Sequence, residues 1–404
     1  MTAVSPLAPE RFPDLPEVPG VHFAAGCTGM RYRNRDDLLL VELASGTTAA
    51  GVFTRSLTAS APVEWCRTVA KRGRGRAIVV NAGNANTFTG RDGVRAVRTT
   101  ATAAAKLLGC SAAEIFVAST GVIGARLPVD MIVATLPGLK AGLSAPAWEK
   151  AARAIMTTDT FPKGASARAT IGGVPVMIAG FAKGSGMIAP DMATMLAFVF
   201  TDAKLPAKVL DTLLRDGAAR SFNAITSTSD TLLLAATGRA DHKNISRAAD
   251  PALADFRRKL DAVLLDLALQ VVRDGEGAQK LVRIDVGGAA SVDAARRIGL
   301  AIGNSPLVKT AIAAGDANWG RIVMAVGKSG QKASRDKLRI CIGGVLIARN
   351  GGPVPGYDEA PVAQHMQGRD IRIEVDVGVG KGRATVWTCD LTHGYVDING
   401  SYRS

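Results

Sequence analysis

Aromatic side chains are scarce, 5% of 404 residues, although the formal net charge is +14. The two facts together bear on nucleic-acid binding. The densest basic run, residues 67–76, holds Arg67, Lys71, Arg72, Arg74 and Arg76 with no aromatic between them. Surfaces that take single strands stack bases on aromatic faces among their cations, so nucleic acid is not an expected partner. The run reads instead as a solvated loop, a phosphate-binding patch or a field that steers acidic substrates. Cysteine is also sparse: Cys27, Cys66, Cys110, Cys341 and Cys389 are odd in number, and no C-x-x-C pair exists. The four histidines stand apart from them. Neither a disulfide framework nor a structural metal site is expected, and reduced thiols in a cytoplasm fit best. No apolar run reaches the roughly 18 residues of a membrane span. Residues 1–18 carry four prolines and no apolar core, so no secretory signal is expected there.

A hydrophobic content of 47% with mixed charges marks a globular chain. The length suits two domains, or one large one with an appendage. Its centre is residues 174–202. An apolar run, 174–181, reads as a buried strand leading into a turn built on Lys183, Gly184, Ser185 and Gly186. After Pro190 and Asp191 come a small residue, Ala193, and a hydroxyl, Thr194, at the mouth of a second apolar run, 195–200. A threonine so placed has the features needed for peptide self-cleavage. Its Oγ attacks the preceding carbonyl, and hydrolysis of the resulting ester frees an N-terminal threonine. That residue carries its own base, an α-amine with a pKa of about 8. The same stretch resembles a dinucleotide fingerprint at Gly184, Gly186 and Ala189, but too few residues follow before the next strand to form the helix it must open.

Residues 37–53 alternate apolar and small side chains and predict paired strands. Residues 77–80 predict a strand entering Asn81, Asn84 and Asn86, an Asn/Gly cluster that is either a tight loop or a set of amide donors. Apolar spacing predicts helices over 93–108, 146–156, 206–220 and 252–272. Residues 115–118 predict a strand ending in Ser119, Thr120 and Gly121, where a hydroxyl and a backbone N–H can point at one oxygen or simply form a turn. Thr157, Thr158, Asp159 and Thr160 are a capping segment or the lining of a polar pocket. Glu276, between two glycines, faces water or a ligand. Beyond it Val282/Ile284/Val286 and Ile371/Ile373/Val375/Val377 alternate strictly, which predicts half-buried antiparallel strands in a second domain. Further strands are expected at 338–347 and 384–391. The polar tail, 397–404, reads as a fraying terminus.

The block from Lys183 through Gly184, Ser185, Gly186, Pro190 and Asp191 to Ala193 and Thr194 strongly resembles the self-cleavage site of the ornithine acetyltransferase family, the bifunctional glutamate N-acetyltransferases of arginine biosynthesis. Ordered matches run through 81–86, 119–124, 157–163, 221–226, 274–280, 316–321 and 390–404. The resemblance covers nearly the whole chain. Two departures stand out. Asp191 occupies a position where the family usually has Asn, three residues ahead of the nucleophile. The connection after Thr226 is about five residues shorter than the family pattern, a change that loop-closure entropy tolerates.

The resemblance implies an α/β fold of stacked mixed β-sheets covered by helices, a layered sandwich of the N-terminal-nucleophile kind, with a smaller α+β C-terminal domain. It implies a catalytic domain over 1–281 and a C-terminal domain over 282–404 whose tail reaches the active site. Cleavage falls between Ala193 and Thr194, and Thr194 becomes the nucleophile. Thr120 and Gly121 form the oxyanion hole. Thr157, Lys183, Thr194, Glu276, Asn399 and Ser404 bind substrate. The implied reaction moves an acetyl group from N-acetylornithine to glutamate without metal or organic cofactor, and acetyl-CoA stands as an alternative acetyl substrate. Two copies of each cleaved chain are the implied assembly. An amidase or aminopeptidase using water as acceptor is the competing enzymatic reading, and a basic RNA-binding protein the non-enzymatic one.

Overall fold

Short β-branched and aromatic runs that are buried on both faces make the strands of this chain, and amphipathic helices close over them. The computed structural model describes residues 3–145, 147–185, 195–227 and 230–400. The strands of the first half are β1 (Val21–Gly26), β2 (Leu38–Leu43), β3 (Thr48–Phe53), β4 (Ala77–Asn84) and β5 (Ile115–Val122). They continue with β6 (Lys163–Ile171), β7 (Val174–Lys183), β8 (Leu196–Thr201) and β9 (Thr231–Ala236). The helices among them are α1 (Ala61–Ala70), α2 (Gly90–Leu108), α3 (Val129–Ala141), α4 (Trp148–Ala154), α5 (Ala207–Arg220) and α6 (Ala254–Arg273). The second half holds β10 (Leu281–Ala289), β11 (Arg339–Ile342), β12 (Val345–Arg349), β13 (Gly352–Pro353), β14 (Asp370–Asp376) and β15 (Gly382–Cys389). Its helices are α7 (Val292–Gly303), α8 (Pro306–Ala313), α9 (Trp319–Lys328), α10 (Glu359–Gln367) and α11 (His393–Asn399).

Two sheets stack face to face. One has the order β1-β2-β4-β5 and the other β3-β9-β8-β7-β6. Each is mixed, with β4–β5 and β8–β9 parallel and the other pairs antiparallel. Between them lies a core of Val41, Ile78, Val80, Phe116, Phe181, Leu196, Phe198 and Phe200, and Cys66 of α1 and Trp148 of α4 close its sides. Phe23 sits at its centre, edge-on to Trp148 at 4.9 Å, Phe200 at 5.7 Å and Phe181 at 5.8 Å between ring centroids. Such edge-to-face pairs add about 0.5–1.5 kcal/mol each beyond the area they bury. On the outer face of the first sheet, α2 and α3 pack through Val97, Ala101, Ala104, Ile132 and Leu136. On the outer face of the second, α5 and α6 pack through Leu210, Leu214, Phe256, Leu260, Leu264 and Val271. The result is a four-layer sandwich, helix–sheet–sheet–helix.

The third sheet, β13-β12-β11-β14-β10-β15, has its own core of Val282, Ile284, Val286, Ile373 and Val375 against Ala295, Ile298 and Ile322. It joins the sandwich where Leu281 and Cys389 enter the core beneath α6, and where Thr226 donates to Thr388 at 2.6 Å.

Three expectations change. β2 and β3, expected to pair with each other, lie in different sheets, because β2 pairs with β1 and β4 while β3 pairs with β9. β10 and β14 are parallel to each other, although each also has an antiparallel neighbour, β15 and β11. Alternation records which face is buried and says nothing of a partner's direction. β4 and β5 also run on through Asn84 and Val122, so the Asn81 and Thr120 clusters belong to strand ends and not to loops. Asn81 makes this possible: its side chain donates to the Asn84 carbonyl at 2.8 Å and accepts from Ser119 at 2.6 Å.

Phe181 is fully buried between the sheets. Phe181→Ala is expected to cost about 3–5 kcal/mol through the cavity it leaves, read as a lower denaturation midpoint with an unchanged m-value.

Candidate active site

The strand ends of the two stacked sheets meet at one mouth of the sandwich. Thr48, at the start of β3, bridges Arg74 just ahead of β4. A side chain at Gly75 would touch both Ala49 of β3 and Phe116 of β5. The three strands therefore begin at the same end, and stacked sheets keep their directions within about 30°. At the far end Phe53 pairs with Thr231, Thr231 with Leu196, and Leu196 with Lys183. This mouth thus gathers the ends of β3, β4, β5 and β7 and the starts of β8 and β9.

Thr120 and Gly121 stand on the β5 side of it. Phe116 and Ala118 face the inter-sheet core, so alternation turns Thr120 the same way. Gly121 has φ +133°, and a Cβ there would lie 2.3 Å from the Gly83 carbonyl carbon. Only glycine fits, because β4 passes too close. The Asn cluster braces this corner: Asn84 donates to the carbonyls of Ala125 (3.1 Å) and Arg126 (3.3 Å) and accepts from the Asn86 N–H at 2.8 Å.

Lys183 ends β7 on the opposite side. Its ammonium donates to Thr157 Oγ1 at 2.8 Å and lies 3.6 Å from Asp159. Asp159 accepts from the Thr157 N–H (3.0 Å), the Gly184 N–H (2.7 Å) and Lys163 Nζ (2.8 Å). Lys163 in turn reaches Asp274 at 2.5 Å, and Asp274 also accepts from Thr160 Oγ1 at 2.5 Å. Two lysines and two aspartates thus alternate in one chain, Lys183–Asp159–Lys163–Asp274, with their side chains withdrawn from solvent. Burial pushes the Asp159 carboxyl up, but the ammoniums of Lys163 and Lys183 outweigh it and hold it well below the usual range. For Lys163 burial pulls down and the two carboxylates win, raising it. For Lys183 burial wins over Asp159 and lowers it. Burial raises Asp274 despite Lys163.

The chain leads on to the C-terminal helix. Ser185 Oγ donates to the Asp274 carbonyl, and two residues later Glu276 accepts from Asn399 Nδ2 at 2.6 Å. Gly277, at φ +75°, lets α11 approach: a Cβ there would lie 2.7 Å from both Gly394 C and Tyr395 N. Thr392 Oγ1 donates to the Gly277 carbonyl at 2.6 Å. The tail as far as Asn399 is therefore docked and does not fray.

The ArgJ family model matches residues 22–404. The chain belongs to the ArgJ family. The arginine biosynthesis bifunctional protein ArgJ of Gluconobacter oxydans (strain 621H) is 59% identical over 406 residues, covering 99% of this chain and 96% of the relative. The protein of the same name from Brucella suis biovar 1 (strain 1330) is 53% identical over 410 residues, covering 100% and 99%. Among solved structures, the arginine biosynthesis bifunctional protein argJ of Bacillus halodurans matches 52% of this chain and 100% of its own at 33% identity, with a TM-score of 0.48.

Within this ArgJ chain, Thr157 and Lys183 are bonded to each other, and Glu276 to Asn399, and the buried charges join the two pairs. Thr120 and Gly121 face the same mouth from the other sheet. Ala193, Thr194 and Ser404 lie outside the described residues, as do Asp191 and residues 228–229 of the shortened connection. Asp159, Lys163 and Asp274 carry the network, in line with the polar-pocket alternative for 157–160; the partners Lys163 and Asp274 are not singled out by local pattern. Their signal was present in the ordered match over 157–163 and at Asp274. Among the described residues no cluster of His, Cys, Asp and Glu could hold a metal ion.

Lys163→Met removes the cation shared by two buried carboxylates and is expected to cost about 3–5 kcal/mol. Without it Asp274 loses the ammonium that opposes its burial and favours the protonated form still more, so its folded pKa lies above the unfolded value. The loss is then smallest in acid and grows as pH rises above about 4. Unfolding free energies measured near pH 5 and pH 8 check the sign.

Proposed function

We propose that this chain cleaves itself between Ala193 and Thr194 and then moves acetyl groups from N-acetylornithine to glutamate through an acetyl-Thr194 ester. The observation that carries the reading is the ArgJ family match over 22–404. The joined Thr157–Lys183 and Glu276–Asn399 pairs at the strand-end mouth support it.

Free of its peptide bond, the Thr194 α-amine takes the hydroxyl proton as Oγ attacks the acetyl carbonyl. Thr120 Oγ and the Gly121 N–H would hold the oxyanion, a task worth about 3–4 kcal/mol per donor. Ornithine leaves with the proton. The amine of glutamate then attacks the ester, giving N-acetylglutamate and the free hydroxyl. Lys183, with Thr157 beside it, supplies a cation for a substrate α-carboxylate, and Glu276 a carboxylate for a substrate amine. Ser404 is read as a further substrate contact. The scheme needs no metal or organic cofactor. The bifunctional name of the relatives supports acetyl-CoA as a second acetyl donor. A cytoplasmic location and an assembly of two copies of each cleaved chain complete the reading. No described helix is long and apolar enough to cross a membrane.

Intact mass under denaturing conditions is expected to show two species, residues 1–193 and 194–404, in place of one at 41.8 kDa. Thr194→Ala should give only the whole chain and no transfer, and Thr194→Ser some of both. Gly121→Ala should lower kcat by about 100-fold or more. Parallel initial-rate lines with acetylglutamate as product support transfer. Free acetate in its place would make the protein a hydrolase.

A further inference from the structure

Glutamate and ornithine differ at the far end of the side chain, where one carries a carboxylate and the other an amine. In the scheme above Lys183 takes the α-carboxylate of either, and Glu276 suits only the amine. The γ-carboxylate of glutamate is left without a cation. A carboxylate drawn out of water with no positive partner is costly, so the mouth is expected to hold one more.

The connection between β1 and β2, residues 27–37, lies at that mouth, because β2 begins opposite Asn81 near the end of β4. Buried Asp37 fixes it. Its carboxylate accepts from the Thr28 N–H at 2.6 Å and from Thr28 Oγ1 at 2.9 Å, and its carbonyl from the Ala82 N–H at 2.8 Å. A Cβ at Gly83 would meet Arg31 and Tyr32, so the connection lies against the same glycine that crowds Gly121. Arg35 stacks on the Tyr32 ring, with Cζ 4.0 Å from the centroid. Its Nη2 donates to the Met156 carbonyl. Met156 precedes Thr157, whose Oγ1 accepts from Lys183 at 2.8 Å. These links keep the two cations within about 10 Å of each other. The carboxylates of an extended glutamate lie about 5 Å apart and each stands roughly 3 Å from its donor, so one molecule spans the gap.

Arg35 is also uncommitted. It makes no ion pair to another described residue, whereas the neighbouring Asp36 carboxylate lies 3.6 Å from Lys150. Its Nε is withdrawn from solvent and has no hydrogen-bond partner among the described residues. Other cations at the mouth are engaged. Lys163 sits between Asp159 and Asp274, and Arg67, bonded to the Thr54 carbonyl, has the Asp230 carboxylate within electrostatic reach. A guanidinium presents five N–H donors in one plane and keeps its charge at any working pH. Arg35 therefore has donors left for a carboxylate.

We propose that Arg35 is an acceptor-specificity residue, binding the γ-carboxylate of glutamate while Lys183 holds the α-carboxylate. The proposal rests on the transferase reading above. Ornithine, with an ammonium in place of that carboxylate, turns its side chain to Glu276 instead. The two half-reactions share Lys183 and part at the end of the side chain, and Arg35 serves only the second.

The test is steady-state kinetics and isotope exchange on the full protein. Arg35→Gln keeps a donor and removes the charge. It should raise the KM for glutamate roughly 30-fold or more. The KM for N-acetylornithine and the exchange of acetyl between N-acetylornithine and labelled ornithine should both stay within about threefold, because neither involves a γ-carboxylate. Preference for glutamate over glutamine, whose side chain is uncharged, should narrow. Arg35→Lys should recover part of the glutamate affinity. A glutamate KM within about threefold of the unaltered value overturns the proposal. So does an exchange rate that falls in step with transfer, the mark of a merely structural role. If circular dichroism shows the Gln variant unfolded, Arg35→Lys decides by the same split: a glutamate KM raised about fivefold or more supports the proposal and an unchanged one overturns it. An unaltered protein that transfers no acetyl group to glutamate overturns the proposed function and this proposal with it. A working transferase indifferent to both variants overturns only the part given to Arg35.

Discussion

Two lysines and two aspartates hidden from water hold the functional end of this molecule in place. Charges so buried are costly unless each has opposite charge and hydrogen bonds around it, and here every neighbour supplies one. Lys163 is the pivot, because Asp159 and Asp274 both lean on it. Through Asp159 it fixes Lys183, Thr157 and the N–H of Gly184; through Asp274 it fixes Thr160 and the turn that presents Glu276. Ser185 is thus anchored to the Asp274 carbonyl, and Met195 by the N–H groups of Asp230 and Thr231 on its own carbonyl.

That arrangement sets different demands on different residues. Gly121 and Gly277 have no freedom, since backbone atoms of Gly83 and of Gly394 occupy the space a side chain would need. Cys66, by contrast, is chemically quiet: it lies inside the sandwich, burial pushes its thiol up to about 12, and it donates to the Val117 carbonyl at 3.1 Å. Of the basic run that stood out in the sequence, Lys71, Arg72 and Arg74 are exposed in the turn after α1. Arg67 binds the Thr54 carbonyl and Arg76 pairs with Glu42, so neither belongs to a continuous cationic surface.

Local pattern revealed the strands around the cleavage stretch and the core-facing residues of α6, because Leu253, Phe256, Leu260, Val263 and Leu267 recur at helical spacing and all are buried. Motif resemblance singled out Thr157, Lys183, Glu276 and Asn399, where local chemistry left cap or polar pocket, turn, water or ligand, and fraying tail. What stayed hidden were partnerships across long stretches of chain. Lys163 and Asp274 are 111 residues apart, and an aspartate after a helix or beside threonines looks like a cap until its partner is known. The parallel pairing of β10 with β14 was hidden for the same reason: periodicity describes one strand at a time.

The order of the five-stranded sheet has a consequence for the two pieces that the proposed cleavage at Thr194 would leave. β3, β7 and β6 come from before Thr194 and β8 and β9 from after it, yet the spatial order is β3-β9-β8-β7-β6. The strands of the later piece are flanked on both sides by those of the earlier one. Neither piece owns the whole of this sheet, although the first sheet lies entirely before Thr194 and the third entirely after it. Cutting the backbone at Thr194 would therefore free an amine without freeing a subunit. The two halves would part only by breaking the β3–β9 and β7–β8 ladders, so the cut protein would be a pair of interleaved polypeptides.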